Sequence, residues 1–209
     1  MKVLAIGAHF DDIELGCGGT IVKHVKNKDK VYMYVLTDSE YESYNGIIQR
    51  TKELALKEGQ EAASILGVDD LICEGLKTKE VLYSVSLIEK INKIIDELGI
   101  DLVYTHWLHD VHQDHFAIGR ATLSAARHVP RLLMYRSNWY ATDAQFRNSF
   151  YVDISPYIET KIAAIEAHRT EYEKLGKRWV DFVRHQNRNS GIEVQVEYAE
   201  VFEVIKYLS

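Results

Sequence analysis

The chain opens MKVLAIGAHFDDIELGCGGT, Met1 to Thr20, and the reading of this stretch decides the fold. Val3 to Ala8 is an apolar run with the length and β-branched content of a buried strand. It stops at His9. Asp11, Asp12 and Glu14 follow, then Gly16, Gly18 and Gly19, which open a helical stretch, Gly18–Lys28. The first strand therefore delivers an imidazole and carboxylates at its C-terminal end, just before a helix. In an open α/β sheet that edge is where ligands bind.

The rhythm repeats downstream. Lys30–Leu36 is rich in strand formers. Ile47–Leu66 has apolar residues at helical spacing and Gly67 as a C-cap. Leu71–Cys73 is a short strand, Val81–Leu98 a helix, Asp101–Thr105 a strand and Phe116–Arg127 a helix. Arg131–Tyr135 and Phe150–Asp153 are extended. Pro156–Lys174 and Trp179–His185 are helical, and Tyr198–Tyr207 reads as an edge strand. Alternating strands and helices imply right-handed βαβ units. The expected fold is α/β: a Rossmann-like three-layer αβα sandwich with a mostly parallel sheet, one domain over residues 1–209.

Composition narrows the function. The 209 residues carry a formal net charge of −6, which argues against nonspecific nucleic-acid binding through Lys/Arg–phosphate contacts. The two cysteines, Cys17 and Cys73, make neither a disulfide framework nor a metal pair. Neither a signal peptide nor a transmembrane run is expected from the apolar pattern, and the expected setting is the cytoplasm.

His9-Phe-Asp11-Asp12 can aim an imidazole and a carboxylate at one cation, leaving Asp11 free as a base; a capped turn uses the same residue types. The loop after Thr105 adds weight to the metal reading. It runs His106-Trp-Leu-His109-Asp110-Val-His112-Gln-Asp114-His115, four of the nine histidines within ten residues. Two imidazoles and a carboxylate suit Zn²⁺, with Fe²⁺ or another divalent ion compatible. The spacing leaves the register open between His109-Asp110 and His112…Asp114-His115. Adjacency to the helix start favours His115. His112 then faces a substrate oxygen and Asp114 orients an imidazole. His106 and His109 read as supporting or surface groups.

These motifs resemble the LmbE/PIG-L family of zinc-dependent N-deacetylases. The family's A-H-P-D-D motif matches Ala8-His9-Phe10-Asp11-Asp12, its G-x-G-G-T helix start matches Gly16 to Thr20, and its H-x-D-H motif matches His112 to His115. Leu66-Gly67-Val68 and Tyr198-Ala199-Glu200…Phe202 are similar too. The resemblance implies His9, Asp12 and His115 as Zn²⁺ ligands, Asp11 as general base, His112 as the residue that stabilises the oxyanion or protonates the leaving amine, and Asp114 as the group orienting the histidines. It implies a homo-oligomer and hydrolysis of an N-acetylated amino sugar, linked to lipid, nucleotide or polyol. Two positions depart from the pattern. Phe10 replaces a proline, which is expected to loosen the loop and place an aromatic surface near the metal. Ala55 stands where many members carry an arginine, and Arg50 is the candidate replacement.

Substrate contacts are expected from Tyr44 and Arg50 and from Arg136, Asn138 and Trp139, whose cation, amide and aromatic groups suit a sugar. His168 completes the set. The competing reading is a metal-dependent nucleotide- or sugar-binding module without catalysis, its glycines cradling phosphate at a helix N-terminus.

Overall fold

The structure is a computed structural model describing residues 1–209. Its centre is β1 (Lys2–Gly7), flanked by β2 (Lys30–Thr37) and by a strand from much later in the chain. A small antiparallel pair, β3 (Tyr41–Glu42) and β4 (Ile48–Arg50), stands apart from the main sheet. β5 (Asp70–Leu76), β6 (Leu102–His106), β7 (Arg131–Tyr135), β8 (Phe150–Asp153) and β9 (Ala199–Tyr207) complete a seven-stranded sheet in the order β5-β2-β1-β6-β7-β9-β8. The first five are parallel; β9 runs antiparallel to both its neighbours.

Strand alternation builds the layers. Val3 and Ala5 of β1 point into one core, and Leu4 and Ile6 into the other. The first core is closed by α1 (Asp12–Lys26), α2 (Lys52–Leu66), α5 (Ile158–Glu166) and α7 (Lys177–Glu193). The second is closed by α3 (Val85–Leu98) and α4 (Gln113–Ala125). A short α6 (Arg169–Leu175) links α5 to α7. No helix is long and apolar enough to cross a membrane.

Four of the differences from the sequence expectation bear on the site and the sheet. α1 begins at Asp12, not Gly18, so the glycines lie inside it, around a kink at Cys17 with φ −146° and ψ 16°. Packing demands them: a Cβ at Gly16 would lie 2.0 Å from the Tyr135 ring, and one at Gly19 2.8 Å from Ile154. α2 starts at Lys52 because Thr51 caps it, its hydroxyl accepting from the Leu54 N–H at 3.3 Å; Arg50 therefore belongs to β4. The helix expected over Pro156–Lys174 breaks, with His168 between α5 and α6. β9 is interior, and β8 forms the edge.

Candidate active site

The chain passes from β1 to β2 to β5 on one side, then returns to β6 and β7 on the other. The order reverses between β1 and β6, and a crevice opens there at the strands' C-terminal ends. His9 follows β1, and the His106–His115 loop follows β6, so the fold brings both motifs to one place.

Phe10 sets the first loop. It is not a surface near the metal: its side chain is buried, so tight against α2 that a Cβ at Gly59 would lie 2.2 Å from its ring. Its N–H donates to Ser39 Oγ at 2.9 Å, a bond proline cannot make, and its carbonyl accepts from Arg50 at 3.2 Å. The loop is thus anchored without proline. Asp11 next to it has φ 130°, in the left-handed region, and its carbonyl accepts from the Leu15 N–H at 2.9 Å. Such a conformation costs about 1–3 kcal/mol and persists only where its surroundings hold it.

Three donors converge. His9 Nδ1 lies 3.2 Å from His115 Nε2 and 3.3 Å from Asp12 Oδ2, and His115 Nε2 lies 3.2 Å from Asp12 Oδ1. Tetrahedral Zn²⁺ with bonds of about 2.0–2.1 Å would hold its donors about 3.3 Å apart. The His9 Nε2 hydrogen bond to Asp114 at 3.0 Å turns Nδ1 of that ring inward; His115 Nδ1 lies 3.1 Å from an Asp110 carboxylate oxygen, with Nε2 toward Asp12. Two further histidines approach the same group of donors. His106 Nε2 already accepts the Ala8 N–H at 2.9 Å, and His112 Nδ1 accepts the Asp114 N–H at 3.2 Å. His112 therefore keeps its proton on Nε2 and acts as a donor. His9, Asp12 and His115 could hold a divalent cation, and the donors also group closely as His9, His112 and His115 and as Asp12, His106 and His115.

The electrostatics agree with that fit. Burial opposes charge on His9, but its hydrogen bonds to Asp114 and Asp12 outweigh it and raise its pKa to about 9. Burial opposes charge on His115 too, and the Asp12 and Asp110 carboxylates lift it to about 10. Asp12, despite burial, is held well below the usual carboxylate range by His115 and His106. A buried Asp12 carboxylate between imidazoles makes this a place that favours positive charge. His112 goes the other way, down to about 4, through burial and the charges of His9 and His115. Burial, and then the charge of Asp12, push Asp11 up to about 7, against the pull of His168 and Arg50.

These groups line a cavity of about 430 Å³ that includes His9, Asp11, Asp12, His112 and His115. A model of the PIG-L family, described as GlcNAc-PI de-N-acetylase, matches residues 4–126. The chain belongs to the PIG-L family.

Relatives of this PIG-L chain agree. It is 32% identical over 176 residues to an uncharacterized deacetylase, YaiS, of Escherichia coli K12, covering 80% of this chain and 90% of that one. It is 28% identical over 204 residues to the diacetylchitobiose deacetylase of Thermococcus kodakarensis, covering 88% and 75%. Among solved structures, the conserved protein TT1542 of Thermus thermophilus superposes with a TM-score of 0.84 at 27% identity, covering 99% of this chain and 95% of that one.

Within the PIG-L chain, the residues expected at the site divide into two groups. Asn138, Trp139 and Arg50 line the cavity with the metal donors. Asn138 gives its amide to Asp110, at 2.6 and 2.7 Å, and Arg50 is paired with Glu58 at 2.9 Å. Tyr44 does not contribute: it is fully exposed on the β3–β4 turn, and Tyr41 lines the cavity in its place. Arg136 lies outside the cavity, over the Trp107 ring at 5.7 Å. His168 is fully buried behind Asp11, bonded to Glu14 at 3.0 Å, and cannot touch substrate. Asp114 bonds His9 Nε2; Asp110, left open by the spacing, lies 3.1 Å from His115 Nδ1 and accepts the His112 backbone N–H at 2.9 Å. Ser137, which donates to Asp12 Oδ1 at 2.8 Å, and the wall formed by Glu171, Lys174, Trp179 and Phe182 carried no local signal. The phosphate-cradle reading fails: the Gly19 and Thr20 N–H groups donate to Glu200, at 2.9 and 2.7 Å, which is itself paired with buried Lys161.

Proposed function

We propose that this chain is a zinc-dependent N-deacetylase that removes the acetyl group from an N-acetylated amino sugar, releasing acetate and the free amine. The observation that carries the reading is one cavity wall. It unites three donors spaced for a cation, a carboxylate with no hydrogen-bond partner and an imidazole N–H. Such a set is a requirement of metal-assisted amide hydrolysis, and membership of a de-N-acetylase family points the same way.

Zn²⁺ held by His9, Asp12 and His115 would polarise the amide carbonyl and lower the pKa of a water to about 7. Asp11 takes the proton of the attacking water. Its burial and its proximity to Asp12 favour that transfer, because they raise its basicity toward neutrality. His112 donates from Nε2 to the oxyanion as the carbonyl carbon becomes tetrahedral. Loss of one such donor typically costs roughly 10²–10³ in rate. Asp11 then returns the proton to the departing nitrogen. The tryptophans at 139 and 179 and Phe182 give the sugar apolar faces, and Asn138, Lys174 and Tyr41 give it polar partners.

The test is metal analysis of purified protein together with acetate release from a panel of N-acetylated sugars. The expected result is about one transition-metal ion per chain and release that stops on chelation and returns with Zn²⁺. Metal-free protein that gains no activity with Zn²⁺ overturns the reading.

A further inference from the structure

The reaction cavity has a neighbour. A second cavity, of about 590 Å³, shares Leu15 with the first and continues past Gly16 of α1. Both are strung along α7. Trp179 and Phe182 line the first, and Gln186 and Asn189 line the second. From Phe182 to Asn189 the helix axis advances about 10 Å, at about 1.5 Å per residue. A chain of linked sugar rings leaving the first cavity along α7 would enter the second.

The lining chemistry is specific in kind. Gln145, Asn148, Gln186, Asn187, Asn189 and Ser190 supply side-chain amides and a hydroxyl, and no carboxylate is among them. A primary amide carries both donors and an acceptor without charge, which suits vicinal hydroxyl groups, and the amides of Gln145, Gln186 and Asn189 are not engaged elsewhere. Arg136 is the one cation, and it is already engaged: its guanidinium lies over Trp107 and donates to the Tyr140 carbonyl at 3.2 Å. Phe146, edge-on to Trp107, adds an apolar patch. Asn187 is 6% exposed and gives Nδ2 to the Ala199 carbonyl at 3.1 Å, which ties this wall of the cavity to β9.

We propose that this amide-lined cavity is a second carbohydrate subsite, which takes further neutral sugar units of a substrate whose N-acetyl group sits beside the metal donors. The inference rests on the deacetylase reading for what occupies the first cavity. It makes the substrate an oligosaccharide or extended glycoside, not a single amino sugar. It also gives Arg136 a place: a wall of the second cavity, outside the first.

The test uses N-acetylglucosamine and its β-1,4-linked dimer and trimer with the zinc-loaded protein. Calorimetric binding and acetate release are measured on wild type and on a Gln186→Ala/Asn189→Ala double variant. Both side chains sit on the outer part of α7, and a thermal melt checks that the fold is kept. In wild type the trimer is expected to bind roughly tenfold more tightly than the monomer, the worth of one or two neutral hydrogen bonds. The variant is expected to bind the monomer as wild type does and to lose that gain. No gain with length, no binding by any of the three sugars, or a gain the variant keeps overturns the subsite. Acetate release without a length effect would sink the subsite and leave the deacetylase standing. A length effect lost in the variant, with no acetate from any sugar, would do the reverse.

Discussion

Asp11→Asn is the most informative single substitution. Asparagine tolerates a positive φ as aspartate does, so the backbone at 130° is kept, and a change to alanine would confound strain with chemistry. The variant loses the only base the mechanism offers. General-base catalysis is worth roughly 10²–10⁴, so turnover is expected to fall by that factor, about 3–5 kcal/mol of barrier. Stability should move the other way. The carboxyl goes from an ordinary 3.8 to about 7 in the fold, first through burial and then through Asp12. An acid whose folded pKa is raised contributes stability below its unfolded value and loses it as pH rises through the folded one. The metal-free wild type therefore loses up to about 4 kcal/mol relative to the variant between pH 4 and 7. For a chain of this size each kcal/mol recovered is about 2–4 °C in Tm. The assay is acetate release, zinc content and thermal melts at pH 4 and pH 8 with and without metal. An active variant refutes the base. An inactive variant that has lost its zinc refutes the separation of Asp11 from the ligand set. Equal melts at pH 8 refute the claim that the fold holds this carboxylate at a cost.

Three other outcomes are expected. His115→Ala should lose the metal, whereas His109→Ala, at an exposed position, should keep both metal and turnover; the reverse result in metal analysis would shift the register. Metal-free protein should lose stability on the alkaline side. His9 and His115 have folded pKa values above the free-imidazole 6.5, so their contribution is complete below pH 6.5 and disappears as pH rises through 9 to 10. Zn²⁺ should remove that loss, and a metal-free melting profile that is flat from pH 6 to 10 would contradict it. Gly59→Ala should destabilise by about 1–3 kcal/mol, because its methyl would meet Phe10 at 2.2 Å. A urea midpoint unchanged from wild type would show that Phe10 is not the anchor of the loop.

Much of the site was legible locally. His9, Asp11 and Asp12 lie within four residues, and His112, Asp114 and His115 within another four, so short-range spacing was enough to nominate them. Strands β7 and β8 were readable to the residue, because their apolar runs are bounded by turn-forming segments. The start of α1 was not, because glycine is a poor helix former and only packing against Tyr135 and Ile154 makes it the residue that fits. β9 was misplaced for a similar reason. Its pattern is that of an exposed strand, yet β8 covers its outer side.

By itself the sequence determined the α/β class, the two strand-end loops that carry the histidines and carboxylates, and the donor types. Those depend on residue identity and on intervals of a few positions. Tertiary structure alone decided which nitrogen of each histidine turns inward. It gave His115 to Asp110 and His9 to Asp114, paired Arg50 with Glu58, and sent Tyr44 to solvent and Arg136 to a second cavity. It also drew the cavity wall from residues 171–182, more than fifty positions beyond the last histidine of the loop. The physical reason is that tautomers, burial and enclosure are set by what comes within a few ångströms in space, and the chain brings those partners together only when the sheet order reverses between β1 and β6.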